Sequence, residues 1–174
     1  MSEPAIRLLS PTDAAEFRRI RLEALLRHPE AFGASHAEMV QRDEACFAAM
    51  LADNTIFGAE LDGRLVGTAA FSLQQGEKAR HKAVMWAVYV EESQRGQHLG
   101  ERLVQAVIDH ARRHARVLQC AVATENHHAR NIYLSLGFRH YGIERRALRV
   151  GGRFLDEDLL DIMIDDAETT KAAP

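Results

Sequence analysis

Apolar positions along the chain change their period several times, and each change marks an element. Ala5–Leu9 reads as a short strand, closed by Ser10-Pro11-Thr12-Asp13, a cluster that supplies cap and turn chemistry ahead of a helix. From Ala14 to Arg27 apolar residues recur at helical spacing (Phe17, Ile20 and Ala24, with Leu22, Leu25 and Leu26) until His28-Pro29 stops the run. A second helix is expected near Glu44–Leu51. Then the period shortens. Thr55–Leu61 and Leu65–Leu73 read as strands joined through Asp62-Gly63, a strong hairpin pair. After the polar loop Gln74–Lys82, the unbroken hydrophobicity of Ala83–Val90 predicts a central strand rather than an edge. A helix follows Gly96 and Gly100 and runs to about His114. Val117–Thr124 is the next strand, and His127–Leu136 a short helix with Gly137 placed as a left-handed cap. Arg139–Val150 and Arg153–Ile164 pair across Gly151-Gly152, and Thr169–Pro174 reads as a frayed tail.

The order is strand, two helices, three strands, helix, strand, helix, two strands. Consecutive strands imply antiparallel pairs, whereas the strand-helix-strand passage from Val84 to Val122 implies a parallel one. The expectation is an α/β chain (α+β in arrangement) with a mixed, mainly antiparallel seven-stranded sheet and about four helices on its two faces. A length of 174 residues fits one domain, expected over residues 1–166 with 167–174 as a flexible tail.

Composition narrows the function without naming it. A net charge of -3 gives no global attraction to nucleic acid or to an anionic membrane, so an anion site must be local. Neither a signal-peptide pattern at Met1–Leu9 nor a run of about 18 apolar residues is present, and the expected location is the cytoplasm. Cys46 and Cys120 stand in apolar company and read as reduced thiols.

The segment from Val88 through Glu101 passes from a strand through a glycine-bearing loop into a helix. That arrangement aims unpaired backbone N–H groups and the positive end of a helix dipole at one point, which suits a pyrophosphate. Glycines before a helix also serve as plain turns. The P-loop pattern is missing, and Gly96 and Gly100 lack the dinucleotide spacing, which disfavours a P-loop enzyme or a Rossmann dehydrogenase.

At this loop the sequence resembles the GCN5-related N-acetyltransferase (GNAT) superfamily, whose pyrophosphate motif is Gln/Arg-x-x-Gly-x-Gly/Ala. Val90, Arg95, Gly96, Leu99 and Gly100 match it, and His98 stands where the motif has its first glycine. Asn126-x-x-Ala129-x-x-x-Tyr133-x-x-x-Gly137-Phe138 resembles a second family motif at the right distance downstream. Arg21–Leu25, Pro29–Gly33 and the closing hairpin Gly151–Asp156 resemble one branch of the superfamily, so the likeness covers roughly Ile6 to Ile164.

The resemblance implies the GNAT fold, acetyl-CoA as cosubstrate, and direct attack of a primary amine in a ternary complex. It implies a coenzyme site made by Val88, Val90, Arg95, Gly96, Gln97, His98, Leu99, Gly100, Glu101, Asn126, Arg130 and Tyr133. Val88 and Val90 would pair with the pantetheine arm where two strands splay, the N–H near Val90 would meet the developing oxyanion, and Tyr133 would protonate the leaving thiolate. Asn126 reads equally as a coenzyme contact or as the cap of its helix. His98 is expected to turn outward. Family habit, and no residue pattern, points to a homodimer.

An amine like that of lysine has a pKa near 10.4, so only about one molecule in a thousand is free base at neutral pH, and a proton must be removed. The strand position that often carries a glutamate in this family is apolar here, within Val84–Ala87. Glu23, Glu91, Glu92 and the histidines offer routes through water, against a reading of each as a solvated charge. His127-His128 cannot face one metal from adjacent helix positions, and His110 with His114 lacks a third ligand, so no metal is expected. Trp86 reads as core. A small-molecule amine or amino acid is the expected acceptor. A peptide N-terminus, or a catalytically silent acyl-CoA-binding module, is the alternative.

Overall fold

The computed structural model describes residues 3–164, so the tail expected at Thr169–Pro174 lies outside the described residues. Seven strands form one sheet: β1 (Ala5–Leu8), β2 (Thr55–Leu61), β3 (Arg64–Leu73), β4 (Lys82–Val90), β5 (Val117–Ala123), β6 (Arg139–Val150) and β7 (Arg153–Met163). Their order is β1-β2-β3-β4-β5-β7-β6, and only β4 and β5 run parallel. The helices are α1 (Ala14–Arg27), α2 (His36–Met39), α3 (Glu44–Asp53), α4 (Leu99–His114) and α5 (His127–Ser135). Four were expected; the added one, α2, is a single turn started by Ser35, whose side chain accepts from Glu38 N.

Turn chemistry sets the boundaries. Asp62 and Gly63 both take positive φ (50° and 80°), as a two-residue hairpin turn requires, and Gly151 and Gly152 repeat it at 57° and 82°. Asp43 caps α3 through Cys46 N, and Ala115 ends α4 in extended conformation.

The sheet separates two cores. On one face α4 buries Leu99, Leu103, Val104, Val107, Ile108 and Ala111 against Ala69, Phe71, Met85 and Leu118. Each large aliphatic side chain buried there stabilises the fold by about 1.5–3 kcal/mol. Gly67 permits the close approach of α4 to β3, since a Cβ there would stand 2.9 Å from Leu103 Cδ1 and 3.1 Å from Tyr89 O. On the other face α1 and α3 close over Ile56, Leu65 and Ala70 with Phe17, Ile20, Ala24, Leu25 and Phe47. Leu26, counted with the apolar stripe of α1, instead faces solvent, and Arg21 takes a buried place on the helix.

Candidate active site

β4 and β5 begin side by side and then part. Their pairing is confined to Lys82–Val117, Ala83–Leu118 and Val84–Gln119, after which β4 is held by β3 and β5 by β7. The cause lies in β4 itself. Ala87 has φ 52°, the register against β3 shifts between Thr68 and Ala70, and the Thr68 hydroxyl donates to Ala87 O at 2.8 Å. Such a bulge bends the strand and interrupts its ladder. Beyond the bulge, Glu91 N donates to Val66 O at 2.9 Å, so Glu91 addresses β3. By the alternation of an antiparallel strand, the backbone groups of Val90, and of Val88 two residues earlier, face the opening towards β5.

This opening is a cleft of about 760 Å³. Val88, Tyr89 and Val90 form one wall, Ala121, Val122 and Ala123 the other, and the start of α4 and one side of α5 close the ends. The glycine loop enters at the mouth: Gly96 (φ 81°) and His98 (φ 56°) are both left-handed, and His98 is the N-cap of α4. Its imidazole does not cap the helix. Nδ1 meets Glu101 Oε2 at 2.6 Å, and the side chain is 76% exposed. The first N–H groups of α4 are therefore left without a capping side chain at the cleft mouth, a donor set that fits a pyrophosphate, while the Val88–Val90 backbone fits an amide-bearing arm.

The residues singled out from sequence fall on both sides of this boundary. Val88, Val90, Arg95, Gly96, His98, Leu99, Gly100, Glu101, Asn126 and Tyr133 line the cleft. Gln97 and Arg130 are not among its lining residues. Arg130 is engaged elsewhere, its Nε 2.9 Å from Asp158 Oδ2 in an ion pair whose N–H does not point along the contact. The same carboxylate meets His140 Nε2 at 3.0 Å, so Asp158 anchors α5 and β6 to β7. The Asn126 side-chain oxygen Oδ1 accepts from Ala129 N at 3.2 Å and caps α5. Arg95 reaches Val90 O at 3.4 Å and His28 Nε2 at 3.0 Å.

Tyr133 is 6% exposed, and burial pushes its phenol well above the usual range, with Cys120 adding to the shift. Its hydroxyl is therefore protonated at neutral pH. Glu91 is no solvated charge: it is 6% exposed and accepts from Arg19 Nη1 at 3.0 Å and Arg64 Nη2 at 3.1 Å, tying α1 to β3 and β4. Glu23 reaches the cleft wall indirectly, accepting from the Tyr89 hydroxyl at 3.1 Å. Burial, then Glu23, raises Tyr89 to about 12. His28 and Phe32, from the turn after α1, complete the wall on that side. Reading from sequence did not single out Tyr89 or Phe32, because each is one apolar position among many in its segment.

The model of the acetyltransferase (GNAT) family matches residues 18–138, a span that holds the splayed strand, the glycine loop and Tyr133. The chain belongs to the GNAT family. Among curated relatives, N-alpha-acetyltransferase RimI of Mycobacterium tuberculosis is 33% identical over 99 residues, covering 57% of this chain and 61% of that protein. The L-methionine sulfoximine/L-methionine sulfone acetyltransferase of Pseudomonas aeruginosa is 28% identical over 120 residues, 68% of each chain. Among solved structures, a GNAT acetyltransferase from Streptococcus pneumoniae superposes with a TM-score of 0.85 at 22% identity, covering 94% of this chain and 100% of that one. YncA from Salmonella typhimurium, solved with its cofactor acetyl-CoA, gives 0.78 at 25% identity over 99% of this chain and 98% of its own. These likenesses establish the GNAT fold, with five helices around the mixed sheet.

Proposed function

We propose that this GNAT chain is an acetyl-CoA-dependent N-acetyltransferase acting on a primary amine of a small molecule or amino acid in a ternary complex. The observation that carries the reading is the parting of β4 from β5, which turns the Val88–Val90 backbone towards a cleft that also holds the uncapped start of α4 and the Tyr133 side chain. Acetyl-CoA supplies the activated acetyl group. The N–H groups at the start of α4, with Arg95 beside them, hold its pyrophosphate. The backbone of Val88 and Val90 aligns its pantetheine arm, and the Val90 N–H stabilises negative charge growing on the carbonyl oxygen. A donor of that kind contributes about 3–4 kcal/mol in comparable acyl-transfer sites.

The amine nitrogen forms its bond to the acetyl carbon as the carbon–sulfur bond breaks. Tyr133 donates a hydrogen bond to the sulfur as charge collects there. A buried phenol is a weaker acid than a thiol of pKa near 8.5, so full proton transfer from Tyr133 is uphill and the hydrogen bond carries its effect. The ammonium proton leaves before attack by a relay in which the Tyr89 oxygen takes it as the Tyr89 hydroxyl proton passes to Glu23, and the second proton, released as the amide forms, goes to the departing thiolate. Glu23→Gln removes that acceptor and should lower kcat most on the acid side of the pH profile; a uniform loss at every pH would remove Glu23 from the route.

A second reading is acetylation of a peptide N-terminus, favoured by the RimI relative. The two separate on substrates: kcat/KM should be higher for free amino acids and small amines than for peptides bearing the same first residue. The reverse ranking supports the peptide reading.

A further inference from the structure

We propose that Arg21 recognises a carboxylate in the acceptor subsite, so that the acceptors this chain serves carry a carboxylate beside the primary amine. The inference rests on the acetyl-transfer reading and narrows its substrate class.

Four arginines lie on α1, and three have partners. Arg18 donates to the carbonyls of Val40 and Arg42, Arg19 to Glu16, Glu23 and Glu91, and Arg27 pairs with Glu23 and Glu92. Arg21 is only 6% exposed, yet its Nε and Nη1 are buried without a hydrogen-bond partner. No ion pair to it occurs among the described residues. Burial draws its guanidinium down to about 10, which still leaves it charged at neutral pH.

What surrounds it satisfies only the flat faces of the group. Its central carbon stands 4.9 Å from the Phe32 ring centroid and 5.8 Å from that of Trp86. Stacking of this kind holds a guanidinium plane in place but uses none of its in-plane donors. Nε belongs to the side-on edge of the fork and Nη1 to its end-on edge, so each edge retains an unused donor for a carboxylate oxygen. The position is apt as well. Phe32 is part of the cleft wall, and Trp86 precedes the bulged Ala87 and the cleft-facing Val88 on β4. A purely structural arginine would be expected to have an acceptor for each buried N–H.

The test compares L-amino acids with their α-amides, which keep the amine and lose the carboxylate. In the whole protein with acetyl-CoA, kcat/KM for the acids should exceed that for the amides by about tenfold or more. Arg21→Gln should abolish that preference, raising KM for the acids by about tenfold more than for the amides, and Arg21→Lys should restore part of it. A second readout needs neither turnover nor a variant. Trp86 is the sole tryptophan, so its fluorescence in the CoA-loaded wild-type protein should titrate saturably with the acids and not with the amides. Equal use of acids and amides, or an Arg21→Gln loss that is the same for both, would overturn the proposal while leaving acetyl transfer intact. A saturable Trp86 response to acids alone, with no acceptor acetylated, would keep Arg21 as a carboxylate site and overturn the transfer reading.

Discussion

Position 98 carries an L side chain where the backbone favours glycine. His98 sits at φ 56° at the cap of α4, and its imidazole is drawn out to Glu101. A left-handed non-glycine residue costs about 1 kcal/mol or more, and the side chain limits how closely a ligand approaches the loop. His98→Gly should therefore lower KM for acetyl-CoA by about fivefold, with little change in Tm because glycine's freedom in the unfolded chain offsets the relieved strain. An unchanged or higher KM would show that the imidazole itself contributes to the site. Tyr133 poses a different question, since burial keeps its hydroxyl protonated. Tyr133→Phe should lower kcat by about 10- to 100-fold with KM for acetyl-CoA nearly unchanged, the low end for a donor because a thiolate leaves readily. For the same reason the wild-type pH profile should have no descending limb from Tyr133 below pH of about 10.

Among the elements, the bulge in β4 decides whether there is a cleft. The Thr68 hydroxyl bonded to Ala87 O is the side-chain contact that fixes it, and Thr68 is 2% exposed. Thr68→Val keeps the shape and removes the bond. It should cost about 1–2 kcal/mol in denaturant unfolding and reduce kcat/KM more than a substitution of similar cost in the α3 core, such as Leu51→Val. At the other end of the sheet, Arg7 holds the Asp13 carboxyl down to about 2 from its usual 3.8, joining β1 to the start of α1. That stabilisation is complete above pH of about 4 and is lost as pH falls towards 2. Asp13→Asn should flatten the acid limb of the stability profile by about 1 kcal/mol, a figure reduced by the partial exposure of Arg7.

Elements announced by period and punctuation were legible in the chain: the alternating strands, the hairpin turns at Asp62-Gly63 and Gly151-Gly152, and α4 after its glycine loop. The bulge was not, because Ala87 has no turn signature and its conformation is imposed by pairing with β3. Arg21 was equally hidden, since a lone arginine in an amphipathic pattern reads as surface until Phe32 and Trp86 are seen to close over it. Arg130, expected at the coenzyme, pairs with Asp158, a partner from β7 that no local spacing announces.

Taken whole, the molecule places one core on each face of a sheet that is opened along one seam, between β4 and β5. Cosubstrate binding should bridge that seam. A ligand binding only the folded form adds about 2.7 kcal/mol at a concentration a hundred times its Kd, so saturating CoA should raise Tm by several degrees. Acetyl transfer itself is read out by thiol release from acetyl-CoA. The acceptors should span amino acids, their amides, polyamines, aminoglycosides and peptides with free N-termini, at saturating coenzyme. Release above the acceptor-free background with amino acids or small amines, accompanied by the acetylated product, is the predicted result. Saturable CoA binding with no acceptor-dependent release from any of these groups would overturn acetyl transfer to an amine and leave a protein that binds the coenzyme without using it.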